Sequence, residues 1–471
     1  MSNNQKTLFV PVVDQEKLNP HFVLVMTHPA RAAARAMLDD VYQEFEDVDG
    51  NFLEQFQTTG FDARYFELYL HAYFSRSGFD IDRTHTSPDY IVSRNDLTVA
   101  VEATTVNPSQ SGALSTSGKS VSDLTADELR EYQSQELPIR FGSPLFSKLQ
   151  KKYWELEQCQ DLPIVLAIEA FQDDESLSFS DYALSQYLYG IMQSAEWLSD
   201  GSLRVSTFAV ESHQSGDKVI PSYFFGQPDA ENVSAVLFTN SGTHAKFVRM
   251  GYQHGFEAQQ VSITRVGFCF NEDPDAMDPT FFSYNLAQPP FVESWGQGLV
   301  VYHNPNALHP LAREFFIDAI QVYIEDGQYS AEFPNWHPIT SKTVTGYFQP
   351  PASVPPPRPP IAIVAISKSQ FQATRGMEIS NEHPIVMEDG WFSDDTGSFL
   401  AVVVRDKIDG DWGYVVLARD EYFQFRPIEF KSDIAHRDDA RKNLQFKMAD
   451  LVRESQRIFP HGVPASQDSD S

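Results

Sequence analysis

From Phe61 to Ser75 apolar residues recur at three- and four-residue intervals and the run stops at Gly78, which predicts a mostly buried helix. Three shorter runs with strand character follow, Phe79–Arg83, Tyr90–Ser93 and Thr98–Thr104, the last two joined by a turn at Arg94, Asn95 and Asp96. They predict an antiparallel meander. Beyond it the pattern predicts a helix over Pro144–Leu156, a buried strand over Pro163–Ile168, a helix over Asp181–Met192 and a strand over Val233–Phe238. The order helix, three strands, helix, strand, helix, strand describes an α/β fold in which helices flank a mixed sheet.

Seven prolines between Pro350 and Pro360 favour extended polyproline and forbid a packed helix or central strand, so residues 336–361 read as a linker. The chain then divides into an N-terminal extension (1–50), a main domain (51–335) and a small α+β accessory domain (362–464). In the last, Ser398–Arg405 and Trp412–Ala418 read as a hairpin through Asp409-Gly410, and Asp438–Arg457 as an amphipathic helix. The Ser-rich stretch 107–123 reads as a mobile loop within the main domain, and 465–471 as a disordered tail.

With 471 residues, 42% of them hydrophobic, the chain has enough apolar material for two or three packed domains. Its formal charge of -30 argues against a protein that coats nucleic acid non-specifically, since phosphate binding needs concentrated Lys and Arg. Cys159 and Cys269 are the only cysteines, too few for a disulfide framework or a zinc site, and a reducing cytoplasm fits them. No apolar run approaches the roughly 18–20 residues that span a bilayer, and the first residues lack an export signal, so no membrane role is expected.

Candidate chemistry lies in the meander. Asp89 opens one strand and Glu102 sits inside the next, where alternation puts Glu102 and Thr104 on one face. Carboxylates brought that close repel one another unless a proton or a metal intervenes. On the preceding helix Arg64, Glu67 and His71 form one polar stripe among aromatic residues, which should face something polar. Within reach of phosphate His71 could contact it, and Arg64 or Arg83 could instead pair with Glu102 and make that acid purely structural.

An acidic residue on a helix, Pro88-Asp89 at one strand and Glu102-Ala103-Thr104 on the next resemble the PD-(D/E)xK nuclease superfamily, the restriction-endonuclease-like fold, over roughly residues 61–238. The departure is Thr104, which stands where the family places its catalytic lysine. The family sometimes supplies that lysine from a later helix, and Lys148, Lys151 and Lys152 are the candidates, with Lys148 preferred. The resemblance implies Mg²⁺ or Mn²⁺ held by Asp89, Glu102 and the Ala103 carbonyl, Glu67 acting through water, Lys148 orienting the attacking water, and phosphodiester hydrolysis of nucleic acid, DNA before RNA. It points to prokaryotic defence or DNA processing, with a homodimer or protein partner as further options. A catalytically inactive, nuclease-like interaction protein is the alternative, and the missing lysine favours it. A P-loop NTPase is a third reading, carried by Gly118, Lys119 and Ser120 with Ile164–Glu169 as the acidic strand, but a polar approach in place of a buried strand weakens it. Lys246 and Arg249 read as surface residues with reach to phosphate, and His303 to His309 as a structural loop at the edge of the cleft.

Overall fold

The computed structural model describes residues 6–107, 124–171, 176–197, 203–256, 261–271, 279–288, 292–325, 328–334, 336–347, 363–367, 370, 385–394, 399–406, 411–419 and 425–458. The Ser-rich segment, its Gly118-Lys119-Ser120 motif, the Asp409-Gly410 turn, the seven prolines and the C-terminal tail lie outside the described residues.

The chain forms two compact units, one of residues 1–257 with 291–338, the other of 258–290 with 339–471. The first contains an eight-stranded mixed sheet flanked by helices, which makes it α/β. Strands β1 (Asp80–Asp82), β2 (Tyr90–Arg94) and β3 (Leu97–Val106) form the antiparallel meander, and Asn95 and Asp96 take the left-handed conformation in its tight turn. A crossover through the Leu137–Leu149 helix returns the chain to β4 (Ile164–Ala170), which lies parallel to β3. All seven residues of β4 are buried, because its run of Ile, Val, Leu and Ala is apolar on both faces and helices cover both. The Ala235–Thr239 strand continues the parallel pairing, and Leu299–His303, Ile320–Glu325 and Gln328–Glu332 complete the sheet.

Several boundaries differ from the sequence reading for identifiable reasons. The helix expected to begin at Pro144 runs from Leu137 to Leu149 with Pro144 inside it. The helix expected over 181–192 spans Ser176–Tyr189 and stops at Gly190, whose φ of 66° is open to glycine, and Met192 belongs to a strand. Residues 1–50 are no appendage. Their helices Pro20–Thr27 and Ala32–Glu44 bury Phe22, Val25, Met37, Leu38 and Val41, and the second packs on the Phe61–Arg76 and His244–Gln253 helices.

In the second unit Val261–Cys269 lies between Thr280–Asn285 and Pro338–Tyr347 in a three-stranded sheet, so residues 258–290 leave the 51–335 domain assigned from the sequence and 338–347 is strand where a linker was expected. A five-stranded antiparallel sheet from Ile363–Ile366 to Phe425–Ile434 completes this α+β unit, with Ala440, Leu444 and Met448 of the Arg437–Ile458 helix packed on Phe392, Ala401, Val403 and Val416. Among the described residues no helix is long and apolar enough to cross a membrane.

Candidate active site

Strand register brings the two predicted acids together. Tyr90 pairs with Val101 across β2 and β3, so Asp89, one residue earlier, stands opposite Glu102. Each carboxylate is braced by the other strand's backbone: the Asp89 N–H donates to Glu102 Oε2 at 3.2 Å, and the Ala103 N–H donates to Asp89 Oδ2 at 2.8 Å. Side-chain direction is thereby set by backbone donors, which do not swing away.

Glu102 is level with Leu166 of β4 and therefore faces the Leu137–Leu149 helix. From the last turn of that helix Lys148 reaches down, its Nζ 2.5 Å from Glu102 Oε1. Its side chain is 22% exposed against 9% for Glu102, so the ammonium lies at the outer edge of the cluster. Lys152 turns instead to Asp229 at 3.2 Å, and Lys151 is exposed.

Glu67 enters from the opposite face of the sheet. It is buried and bound by two arginines, Arg64 Nη1 at 2.6 Å and Arg83 Nη2 at 3.8 Å, and the Tyr90 hydroxyl donates to its backbone carbonyl. Arg64 and Arg83, weighed as partners of Glu102, thus pair with Glu67. Arg83 is clamped between the rings of Phe45 and Tyr90, 4.0 and 4.6 Å from their centroids. His71, expected to face phosphate, is instead buried against Phe45, and burial followed by the charges of Arg83 and Arg76 lowers its pKa to about 4, leaving a neutral imidazole.

Burial, then the carboxylates of Glu102 and Glu67, push the Asp89 carboxyl up to about 7 against the pull of the Ala103 N–H and Lys148. Burial also raises Glu67, opposed by its two arginines.

Asp89, Glu102 and Lys148, three of the four residues selected from the sequence, therefore meet at one place, while Glu67 is held by its arginines and acts on Asp89 through its charge. Two further contributors carried no readable signal. The Tyr153 hydroxyl is buried beside Glu102 with no hydrogen bond of good geometry, its pKa pushed up by burial and then by that carboxylate. Gln158 donates to the Ser87 carbonyl just before Asp89. Both lie in single 3₁₀ turns, Tyr153–Glu155 and Glu157–Cys159, too short for periodicity to mark a function.

Among the described residues no three His, Cys, Asp or Glu side chains are grouped to hold a metal ion. The available donors are the Asp89 and Glu102 carboxylates and the Ala103 carbonyl, hard oxygen ligands of the kind Mg²⁺ and Mn²⁺ take. Two carboxylates and a carbonyl are a donor set whose chemistry suits such an ion, and burial, the largest cause of the raised Asp89 carboxyl, is eased by any nearby positive charge.

Two other polar groups belong to the scaffold. Lys246 and Arg249, expected at the surface, are buried and share Glu293, the lysine at 2.8 Å and the arginine Nε at 2.7 Å. His303 bonds Gln321, and Asn304 donates to the Ala230 and Val233 carbonyls, which makes this segment an internal brace. Glu169, the acid required by the NTPase reading, points to the other side of β4 from Leu166 and is fully buried, with burial holding its carboxyl well above the usual range. Comparison of the chain with protein-family models, with curated proteins and with solved structures finds no match.

Proposed function

We propose that the first unit is a restriction-endonuclease-like domain that hydrolyses phosphodiester bonds of nucleic acid, DNA in preference to RNA, with Mg²⁺ or Mn²⁺. The observation that carries this reading is the pair Asp89 and Glu102, fixed toward each other by backbone N–H groups and met by Lys148 from the following helix. Thr104 leaves the lysine position of the resemblance empty, and Lys148 brings an ammonium to the same carboxylate from another element. Asp89, Glu102 and the Ala103 carbonyl would hold the ion, with Glu67 acting through water. A bound ion supplies charge neutralisation at the phosphate and a lowered pKa for water. Lys148, more exposed than Glu102, orients the attacking water and stabilises charge developing on the phosphate. Glu67, neutralised by Arg64 and Arg83, limits the negative charge that a phosphate meets. A cytoplasmic role in prokaryotic defence or DNA processing follows from the resemblance alone.

The formal charge of -30 slows encounter with DNA unless a partner or a focused basic face delivers it, and it makes cleavage strongly salt-dependent. The test is cleavage of labelled single- and double-stranded DNA and RNA with Mg²⁺, Mn²⁺ or EDTA. Cutting that needs metal and is lost in Asp89→Ala and Glu102→Ala is the expected result. Tight binding of metal or nucleic acid without cutting would instead identify the inactive interaction protein that Thr104 favours.

A further inference from the structure

Three of the four oxygens of Asp89 and Glu102 already have donors, and the three differ in kind. Two of the donors are backbone N–H groups, that of Asp89 just before β2 and that of Ala103 within β3 where it pairs with β4, and backbone donors have no side-chain freedom to swing away. The third is Lys148 Nζ, on a long flexible side chain at the outer edge of the cluster. Only Asp89 Oδ1 lacks a donor among the described residues.

From this asymmetry we propose that Lys148 is a resident cation that competes with the divalent ion for Glu102, so that metal entry and release of the lysine toward the phosphate are one exchange. The inference rests on the hydrolytic reading of the site and deepens it. An ammonium and a divalent ion cannot both approach Glu102 Oε1 closely, because their charges repel in a partly desolvated cluster. Binding of the ion would therefore weaken the hold of Glu102 on the ammonium and free the lysine for a bound phosphate. Glu102 is never left without positive charge: the lysine covers it until the ion takes over, at some cost in metal affinity. Neighbouring charges do not offer Lys148 a better place within the cluster, since Glu67 is already bound by Arg64 and Arg83.

A purely structural lysine, or one that only touches substrate, would not set metal affinity in this direction. Mn²⁺ binding to the full chain, followed by calorimetry without nucleic acid, separates these cases. Lys148→Met and the more polar Lys148→Gln are expected to bind Mn²⁺ about tenfold tighter than the wild type or better, as removal of a competing charge requires. Lys148→Arg, which keeps the charge, should stay within about threefold of the wild type on the same argument. The melting midpoint should rise more on adding Mn²⁺ in Lys148→Gln than in the wild type, a readout that also reports whether the variant folds. Equal or weaker binding by folded Lys148→Met and Lys148→Gln would overturn the exchange while leaving the metal site standing. Binding unaffected by Asp89→Asn, or no binding by any of these proteins, would overturn both the exchange and the hydrolytic reading.

Discussion

The first unit holds two lysine–glutamate pairs of nearly equal length that do opposite things. Lys148 meets Glu102 at 2.5 Å in a group where Asp89 adds a second carboxylate, so acid exceeds base. Lys246 meets Glu293 at 2.8 Å in a group where Arg249 adds a second cation on the same carboxylate. Exposure separates them further, since the Lys246 side chain is 0% exposed and that of Lys148 22%. Lys246 also donates to the carbonyls of Ser294 and Gln297, which satisfies its ammonium within the fold. The sealed group can only hold the His244–Gln253 helix to the 293–297 segment. The open one has more acid than base and a partly exposed lysine, which is what the proposed chemistry requires. An ion pair by itself says little about function; the balance of charge around it and the freedom of its long side chain decide.

The sharpest way to break this contrast is Glu293→Ala, which removes the carboxylate that two buried cations share. It should cost about 3–5 kcal/mol of stability in urea unfolding, and a loss below about 1 kcal/mol would show that the sealed group is solvated after all. The open group should instead reveal itself through pH. The folded-state pKa of Asp89, about 7, lies above the ordinary carboxylate value, so its contribution to stability is complete below about pH 4 and is lost as pH rises through 7. Compared with Asp89→Asn in EDTA, the wild type should therefore lose up to about 4 kcal/mol between pH 4 and 8, and parallel pH profiles for the two would refute the raised Asp89 carboxyl. The smallest effect is expected at Thr243, whose hydroxyl accepts the Lys246 N–H and caps the helix of the sealed group. Thr243→Ala should cost about 1 kcal/mol and leave nucleic-acid cleavage unchanged.

The two groups also differ in how much of them the sequence discloses. Asp89 and Glu102 are legible because both lie in one hairpin, where alternation and a short turn fix their relation. Lys148 is legible only as a helix residue of the right charge, and its contact with Glu102, 46 positions away, follows from a crossover that periodicity does not measure. Glu293 is 47 and 44 positions from its partners and follows a segment that belongs to the other unit, so nothing local marks Lys246 and Arg249 as buried. The same limit explains the displaced domain boundary: Val261–Cys269 joins the second unit through pairing with Pro338–Tyr347, a contact between distant segments. In the first 50 residues the information is local, since Ala33, Met37 and Leu38, then Val41, fall at helical spacing on one buried face. Arg83 and Tyr153 gain their meaning only from Phe45, Tyr90 and Glu102 in three dimensions.

The most direct measurement of the central claim is the rate at which Glu102→Gln cuts labelled DNA in Mn²⁺, relative to the wild type and to Glu293→Gln at a temperature where all three are folded. The account predicts wild-type cleavage abolished by EDTA, a loss on the order of a thousandfold in Glu102→Gln, and near-normal cleavage by folded Glu293→Gln. Cleavage that survives Glu102→Gln would contradict it.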